Sequence, residues 1–332
     1  MTAQPREAAV PVAEGAPPAG VRERVTARLT DLGFAAGWGA VKALPEPVAR
    51  AGFVAAFDRV ARRDGRGVRQ LRANLRAVTA AGGLDEAALD ALTRRAMRSY
   101  GRYWQEAFRL PRLDPARIVR DTVTEGREHM DRARAAGRPV VAALPHSGNW
   151  DAAGVWFIEY LGGPFLTVAE RLRPESLYRR FVAFRESLGM RVVPLTGDPQ
   201  PSGTVLREWL DGGGAVCLLC DRDLGRPGVP VTFAGRPTTM PSGPALLAAQ
   251  TGAALVPAVP SFTARGWRVV FHPEVPLDGG GRLRDRVHAA TQQVADAFGG
   301  TLARYPEDWH MLARIWPDVP PDPAAADRPE RA

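Results

Sequence analysis

PVVAALPHSGNWD, residues 139–151, is the stretch whose reading decides the fold. Val140–Ala143 is a short apolar run, and Pro145 stops it. Ser147-Gly148-Asn149 supplies a tight turn, and an apolar, helix-like segment follows through Ala152, Val155, Trp156 and Tyr160. A buried strand that feeds a helix is the repeating unit of an open α/β sheet. Ligands in such sheets collect at the carboxyl ends of the strands, and His146 stands at one of them. Asp151 follows five residues later, in the spacing histidine-x4-aspartate.

Working outward, the same alternation continues. Upstream, Asp121–Ala136 reads as a helix. Downstream come strand-like PFLTVA (164–169), helical 175–189, strand RVVPL (191–195), a helix to Leu210, and strand AVCLLC (215–220). VPVTF, a helix from Ser242 to Thr251, ALVPAV, RVVF and a long helix from Arg282 to Tyr305 complete the series. The pattern predicts an α/β fold, a mostly parallel central sheet flanked by helices on both faces. Before it lies an N-terminal helical region. Val48, Phe53, Phe57 and Val60 share one face there, and a break follows at Gly65 and Gly67. Val68, Leu71, Leu75 and Val78 then recur at helical spacing, with Arg69, Arg72 and Arg76 opposite. A third helix starts at the N-cap candidate Asp85 and runs through Leu89, Leu92, Ala96, Tyr100, Tyr103 and Phe108. The expected organisation is a tail over 1–20, a helical region over 21–120, an α/β core over 121–316 and a second tail over 317–332. The tails are assigned by composition, being rich in Ala and Pro without periodicity.

A hydrophobic content of 45% with 24% charged residues supports a sizeable core. The net charge is +8, and Lys42 is the only lysine, so arginine carries nearly all the positive charge. Arginine suits phosphates and carboxylates, although GC-rich coding gives the same excess. The balance fits an anionic membrane surface or a phosphorylated substrate. Nucleic-acid binding is excluded, because basic residues are not interleaved with aromatics and no known module is present. The uncharged run Leu32–Val41, with Phe34 and Trp38, is half the roughly 20 residues of a transmembrane helix. No signal peptide opens the chain. The expectation is a protein that lies on a membrane without spanning it. Arginine-rich helix faces would each contribute about 1 kcal/mol per residue near headgroups. Cys217 and Cys220 form one C-x-x-C without a second pair or a histidine pair, so no metal is expected. They read as small buried hydrophobes of a reducing compartment.

His146 is the candidate general base. Asp151 either orients it or stabilises the first turn of its own helix. A second carboxylate source is Asp221-Arg222-Asp223, directly after AVCLLC; it reaches His146 if those two strands are neighbours. Glu170 and Arg171 close PFLTVA, and Arg185 lies on the helix that also carries Arg179 and Arg180. Glu170, Arg185, Asn149 and Arg222 are expected at the substrate. Backbone N–H groups of the turn after His146 are expected to be free for a phosphate or an oxyanion. No G-x-S-x-G, P-loop, G-x-G-x-x-G or H-E-x-x-H occurs. A histidine without a protein nucleophile points to direct transfer onto an acceptor hydroxyl.

Five ordered segments carry a resemblance: LPHSGNWD, VAERLRPESLYRRFVAFRESLG, DRDLGRPGVPVTFAG, MPSGPALLA and PEDWHMLARIW. Together they resemble the actinobacterial phosphatidylinositol mannoside acyltransferases, within the lipid A (lauroyl-type) acyltransferase superfamily, over roughly residues 30 to 316. The resemblance implies a peripheral enzyme on the cytoplasmic face of the plasma membrane. Its partners would be acyl-CoA as co-substrate, with no cofactor, and a mannosylated phosphatidylinositol. Palmitoyl-like acyl transfer would go to the 6-hydroxyl of the 2-linked mannose. The resemblance further implies His146 as base, with Asp151, Glu170 and Arg185 at functional positions. Asp221 stands where the family typically has glutamate, which leaves open whether Asp221 or Asp151 pairs with His146. Another glycolipid acceptor, or lipid binding without catalysis, are the alternative readings.

Overall fold

The computed structural model describes residues 41, 44–171, 175–223 and 228–323. The run Leu32–Ala40, with Phe34 and Trp38, and the tail at 1–20 lie outside the described residues. A seven-stranded sheet is built from β1 (Thr122–Glu125), β2 (Val140–Leu144), β3 (Leu166–Ala169), β4 (Arg191–Pro194), β5 (Ala215–Leu219), β8 (Ala254–Phe262) and β9 (Trp267–Phe271). Their order is β1-β9-β8-β2-β5-β3-β4, parallel throughout except between β8 and β9. Every residue of β2 is buried. Val141 and Ala143 face one apolar core, and Val140, Ala142 and Leu144 face the other. A strand covered on both faces needs an unbroken apolar run, and 140–144 supplies it.

The helices that cover the sheet and the N-terminal layer are α1 (Glu46–Arg62), α2 (Arg66–Val78), α3 (Glu86–Arg109), α4 (Pro115–Arg120), α5 (Glu128–Ala135), α6 (Trp150–Leu161), α7 (Glu175–Ser187), α8 (Ser202–Asp211), α9 (Gly243–Thr251) and α10 (Leu283–Arg304). Asp85 caps α3 as expected, accepting from the Ala88 N–H at 2.7 Å. Among the described residues no helix is long and apolar enough to cross a membrane. Cys217 and Cys220 are both buried and unlinked, and they point into the two different cores.

Two strands went unanticipated. Thr122–Glu125 is β1, not the start of a helix; its Thr-Val-Thr run pairs with β9, and α5 begins only after Gly126. Arg236–Met240 is β7, which returns antiparallel on β6 (Val229–Phe233) around Ala234-Gly235, both at positive φ. Alternation in this hairpin is plain once paired: Val231, Phe233, Thr238 and Met240 are buried and their neighbours are not. In α1 the middle of the helix makes the contact. Phe57 stacks edge-on with Tyr100 of α3, while Val48 and Val60, near its two ends, are exposed.

The arginine face of α2 is not a solvated one. Arg72 is 2% exposed and donates to Glu86 and Asp90, each at 2.7 Å, and to Asp322. Arg76 donates to the other Asp322 oxygen at 2.6 Å. Asp322 is itself buried, and Asn74 of α2 binds the carbonyls of Met311 and Ala313, each at 2.8 Å. Residues 317–323, expected as tail, are therefore seated on α2. Hydrogen bonds from Arg72 hold the Glu86 carboxyl below its ordinary 4.5, against the opposing effect of burial. A depressed carboxyl contributes stability above its unfolded value and loses it as pH falls through the folded one. Removing one partner of a buried ion pair is strongly destabilising. Arg72→Ala is expected to lower the unfolding free energy by about 3 kcal/mol in neutral urea titrations. The gap from wild type should narrow as pH drops below 4.5.

Candidate active site

Strands β2 and β5 run parallel in the register Leu144↔Leu219, and the Cys220 N–H extends the ladder to the Leu144 carbonyl at 2.9 Å. Residues two past each strand end therefore arrive side by side. These are His146 and Asp221. Asp221 Oδ1 lies 2.5 Å from His146 Nδ1, and Oδ2 accepts the His146 backbone N–H at 2.9 Å. Trp309 Nε1 donates to the same Oδ2 at 2.9 Å. The pairing left open between Asp151 and Asp221 is thus made by Asp221. Its short side chain is long enough because the strand ends are level. Burial pushes the Asp221 carboxyl up, but His146, Trp309 and the backbone N–H outweigh it and hold it below the ordinary carboxylate value. With Nδ1 engaged by a carboxylate, Nε2 is the nitrogen available for proton transfer. It belongs to a side chain that is 34% exposed, beside an aspartate that is not exposed at all.

The turn after His146 is bonded on two sides. Ser147 Oγ donates to the Pro260 carbonyl of β8 at 2.7 Å. Gly148 sits at φ +54, and a Cβ there would fall 2.7 Å from the Ser261 nitrogen, so no larger residue fits. On the other side lies a strap, residues 305–311, whose Pro306–Asp308 is a single 3₁₀ turn. Gly148 N–H donates to the Asp308 carbonyl at 2.8 Å, and His310 N–H to the His146 carbonyl at 2.9 Å. Three N–H groups at this turn are in use: that of His146 by Asp221, that of Ser147 by the Pro145 carbonyl and that of Gly148 by the strap. Asn149, expected at the substrate, is 1% exposed and caps α6 instead. Its Oδ1 accepts from the Ala152 N–H at 3.0 Å, and its Nδ2 donates to Glu106 at 2.9 Å.

Asp151 faces away from this pair. It is fully buried in the first turn of α6, where it accepts from the Tyr103 hydroxyl at 3.0 Å and Arg185 Nε at 3.2 Å. The Arg185 guanidinium lies 4.4 Å from the centre of the Trp150 ring. Burial raises the Asp151 carboxyl, and Arg185 and Tyr103 offset this only in part. Glu170 and Arg222, at the ends of β3 and β5, pair at 3.1 Å on a more open rim. The two residues of the histidine-x4-aspartate spacing thus serve two adjoining polar clusters, one around each.

Sequence reasoning marked the strap only as a segment of resemblance and gave its residues no role. Beyond Trp309 it carries Asp308, whose carboxylate accepts from Ser99 Oγ at 2.7 Å and from the Phe262 N–H at 2.8 Å. Ser99 Oγ also lies 3.0 Å from His310 Nε2. Burial pushes Asp308 up to about 6 and His310 down to about 3, so the histidine behind His146 is neutral. Glu106 was missed; it joins Arg102, Asn149 and Trp267. Apart from the resemblance, the strap's only signal was the density of Asp, Trp and His within PEDWHM, which has no periodicity.

The sequence pattern of the bacterial lipid A biosynthesis acyltransferases matches residues 21–317. The phosphatidylinositol mannoside acyltransferase of Mycolicibacterium smegmatis is 49% identical over 289 residues, covering 87% of this chain and 92% of that protein. The protein of the same name from Mycobacterium tuberculosis H37Rv is 48% identical over 300 residues, covering 89% and 91% respectively. The chain belongs to the bacterial lipid A biosynthesis acyltransferase family.

Asp151 is raised by burial even with Arg185 in place, so its ionised form opposes folding, and more so once Arg185 is removed. Arg185→Met is expected to lower stability by about 3–5 kcal/mol at neutral pH. The loss should shrink as pH falls and Asp151 takes up a proton, read from urea titrations at pH 7 and pH 5.

Proposed function

We propose that this member of the bacterial lipid A biosynthesis acyltransferase family moves a palmitoyl-like chain from acyl-CoA to phosphatidylinositol mono- or dimannoside. The accepting group is the 6-hydroxyl of the 2-linked mannose. What carries the reading is the His146–Asp221 pair at the carboxyl edge of the sheet, with one imidazole nitrogen held by a buried carboxylate. The names of the mycobacterial relatives support the acceptor.

The mannose hydroxyl binds against Nε2 of His146. As its oxygen attacks the thioester carbonyl, His146 takes the hydroxyl proton and Asp221 steadies the imidazolium. The tetrahedral intermediate collapses with cleavage of the C–S bond, and the departing CoA thiolate recovers the proton. A C–O bond forms, a C–S bond breaks, and no acyl group rests on the protein. Glu170 and Arg222 on the open rim, with Arg185 held in place by buried Asp151, form the polar surroundings suited to the sugar and phosphate of the acceptor. Exposed arginines of the helical layer, such as Arg98 on α3, suit an anionic headgroup surface at the cytoplasmic face of the plasma membrane.

Positioned general-base catalysis contributes about 10²–10⁴-fold. Wild type incubated with palmitoyl-CoA and phosphatidylinositol monomannoside should give acylated lipid and free CoA in equal amounts. His146→Ala should lower turnover at least about 100-fold without loss of folding, and Asp221→Asn should fall between the two. Product from His146→Ala at the wild-type rate, or none from wild type with either mannoside, would sink the proposal.

A further inference from the structure

We propose that Trp309 is a positioning residue: its indole N–H fixes the second oxygen of Asp221 and thereby keeps the first in line with His146 Nδ1. The carboxylate of Asp221 receives three hydrogen bonds. Two come from His146 itself, through Nδ1 and the backbone N–H. The backbone N–H ties Oδ2 to the main chain at the end of β2, and the Nδ1 contact is the pair itself. The third, from Trp309 Nε1, is the only one among the described residues that comes from outside the pair.

The donor is itself held rigidly. Trp309 is fully buried, and it meets Phe233 of β6 edge-on at 5.7 Å and Trp316 at 6.0 Å. Its backbone bridges Ser147 on the other side of the turn. On one flank the Asp308 carbonyl accepts from Gly148, and on the other His310 N–H binds the His146 carbonyl. The Asp308 side chain is fastened by Ser99 and by the Phe262 N–H. The strap therefore grips both the main chain and the carboxylate of the pair from one side, and Trp309 makes the side-chain contact. An indole N–H is a donor only, so it cannot compete for the proton on Nδ1. It compensates charge on a carboxylate cut off from water, where an unmatched oxygen is costly. Supporting contacts of this kind typically carry about 10–100-fold in activity where they have been removed.

The kinetic part of this inference rests on the general-base reading above, and the geometric part does not. Trp309→3-benzothienylalanine, introduced at that one site, keeps the ring shape and exchanges the N–H for sulfur. Trp309→Phe serves as the cruder companion. The isosteric variant should keep the wild-type fold and melt somewhat below wild type, by the loss of one hydrogen bond with the packing unchanged. Its kcat should fall about tenfold while KM for acyl-CoA and for the mannoside stays within about twofold. Independently of any substrate, the low-field proton resonance of Nδ1–H···Oδ1 should be sharp in wild type and broadened by solvent exchange in the variant. An isosteric variant with unchanged kcat and an unchanged resonance would overturn the assignment and leave Trp309 as packing alone. If wild type makes no product, the function above falls, and the proton resonance still decides the role of Trp309.

Discussion

The parallel pairing of β2 with β5, level at Leu144 and Leu219, is the constraint on which the remainder depends. Side chains in a strand alternate faces, so a slip of one residue would carry a whole strand's apolar set to the wrong side. Here both faces of β2 are buried, and a slip would also exchange the two cores. The register is therefore held by packing along its entire length. Its by-product is that two residues 75 positions apart meet at 2.5 Å. The chemistry at the sheet edge inherits its accuracy from the hydrophobic layers beneath it.

Three buried carboxylates and one partly buried one show how differently one functional group can be treated. Asp221 is surrounded by donors and stays charged, while Asp308, with two donors, is pushed up to about 6. Asp151 needs Arg185 and Tyr103 to be tolerated at all. Glu106 gathers an arginine, an asparagine and a tryptophan, and so links α3 to the cap of α6 and to β9. None of these environments is local in the chain. Each is produced by elements that the sheet and the helical layer bring together.

That non-locality explains what was legible in the sequence. The mostly parallel α/β sheet and its long helices could be read from apolar periodicity, because burial on both faces leaves continuous runs. His146 could be read as the end of such a run. The partner of His146 was left between two aspartates, since strand order is a property of the folded sheet. Asn149 looked like a substrate ligand because a cap and a ligand use the same side-chain chemistry. β1 and β7 were too short and polar on one face to declare themselves, and Arg72 read as part of a face for headgroups because its acids lie 14, 18 and 250 residues away. The strap was visible only as a segment of resemblance, without a role. Its residues act through tertiary contacts, and no period marks them.

The strap has a consequence for how the molecule comes into being. Among the described residues, 305–323 follow every strand and every α-helix in chain order, yet they close the underside of His146 and clamp α2 through Asp322. During synthesis the sheet and the meeting of His146 with Asp221 can be complete while this segment is still inside the ribosome. A nascent or prematurely ended chain would own the histidine and its aspartate without the part that steadies them.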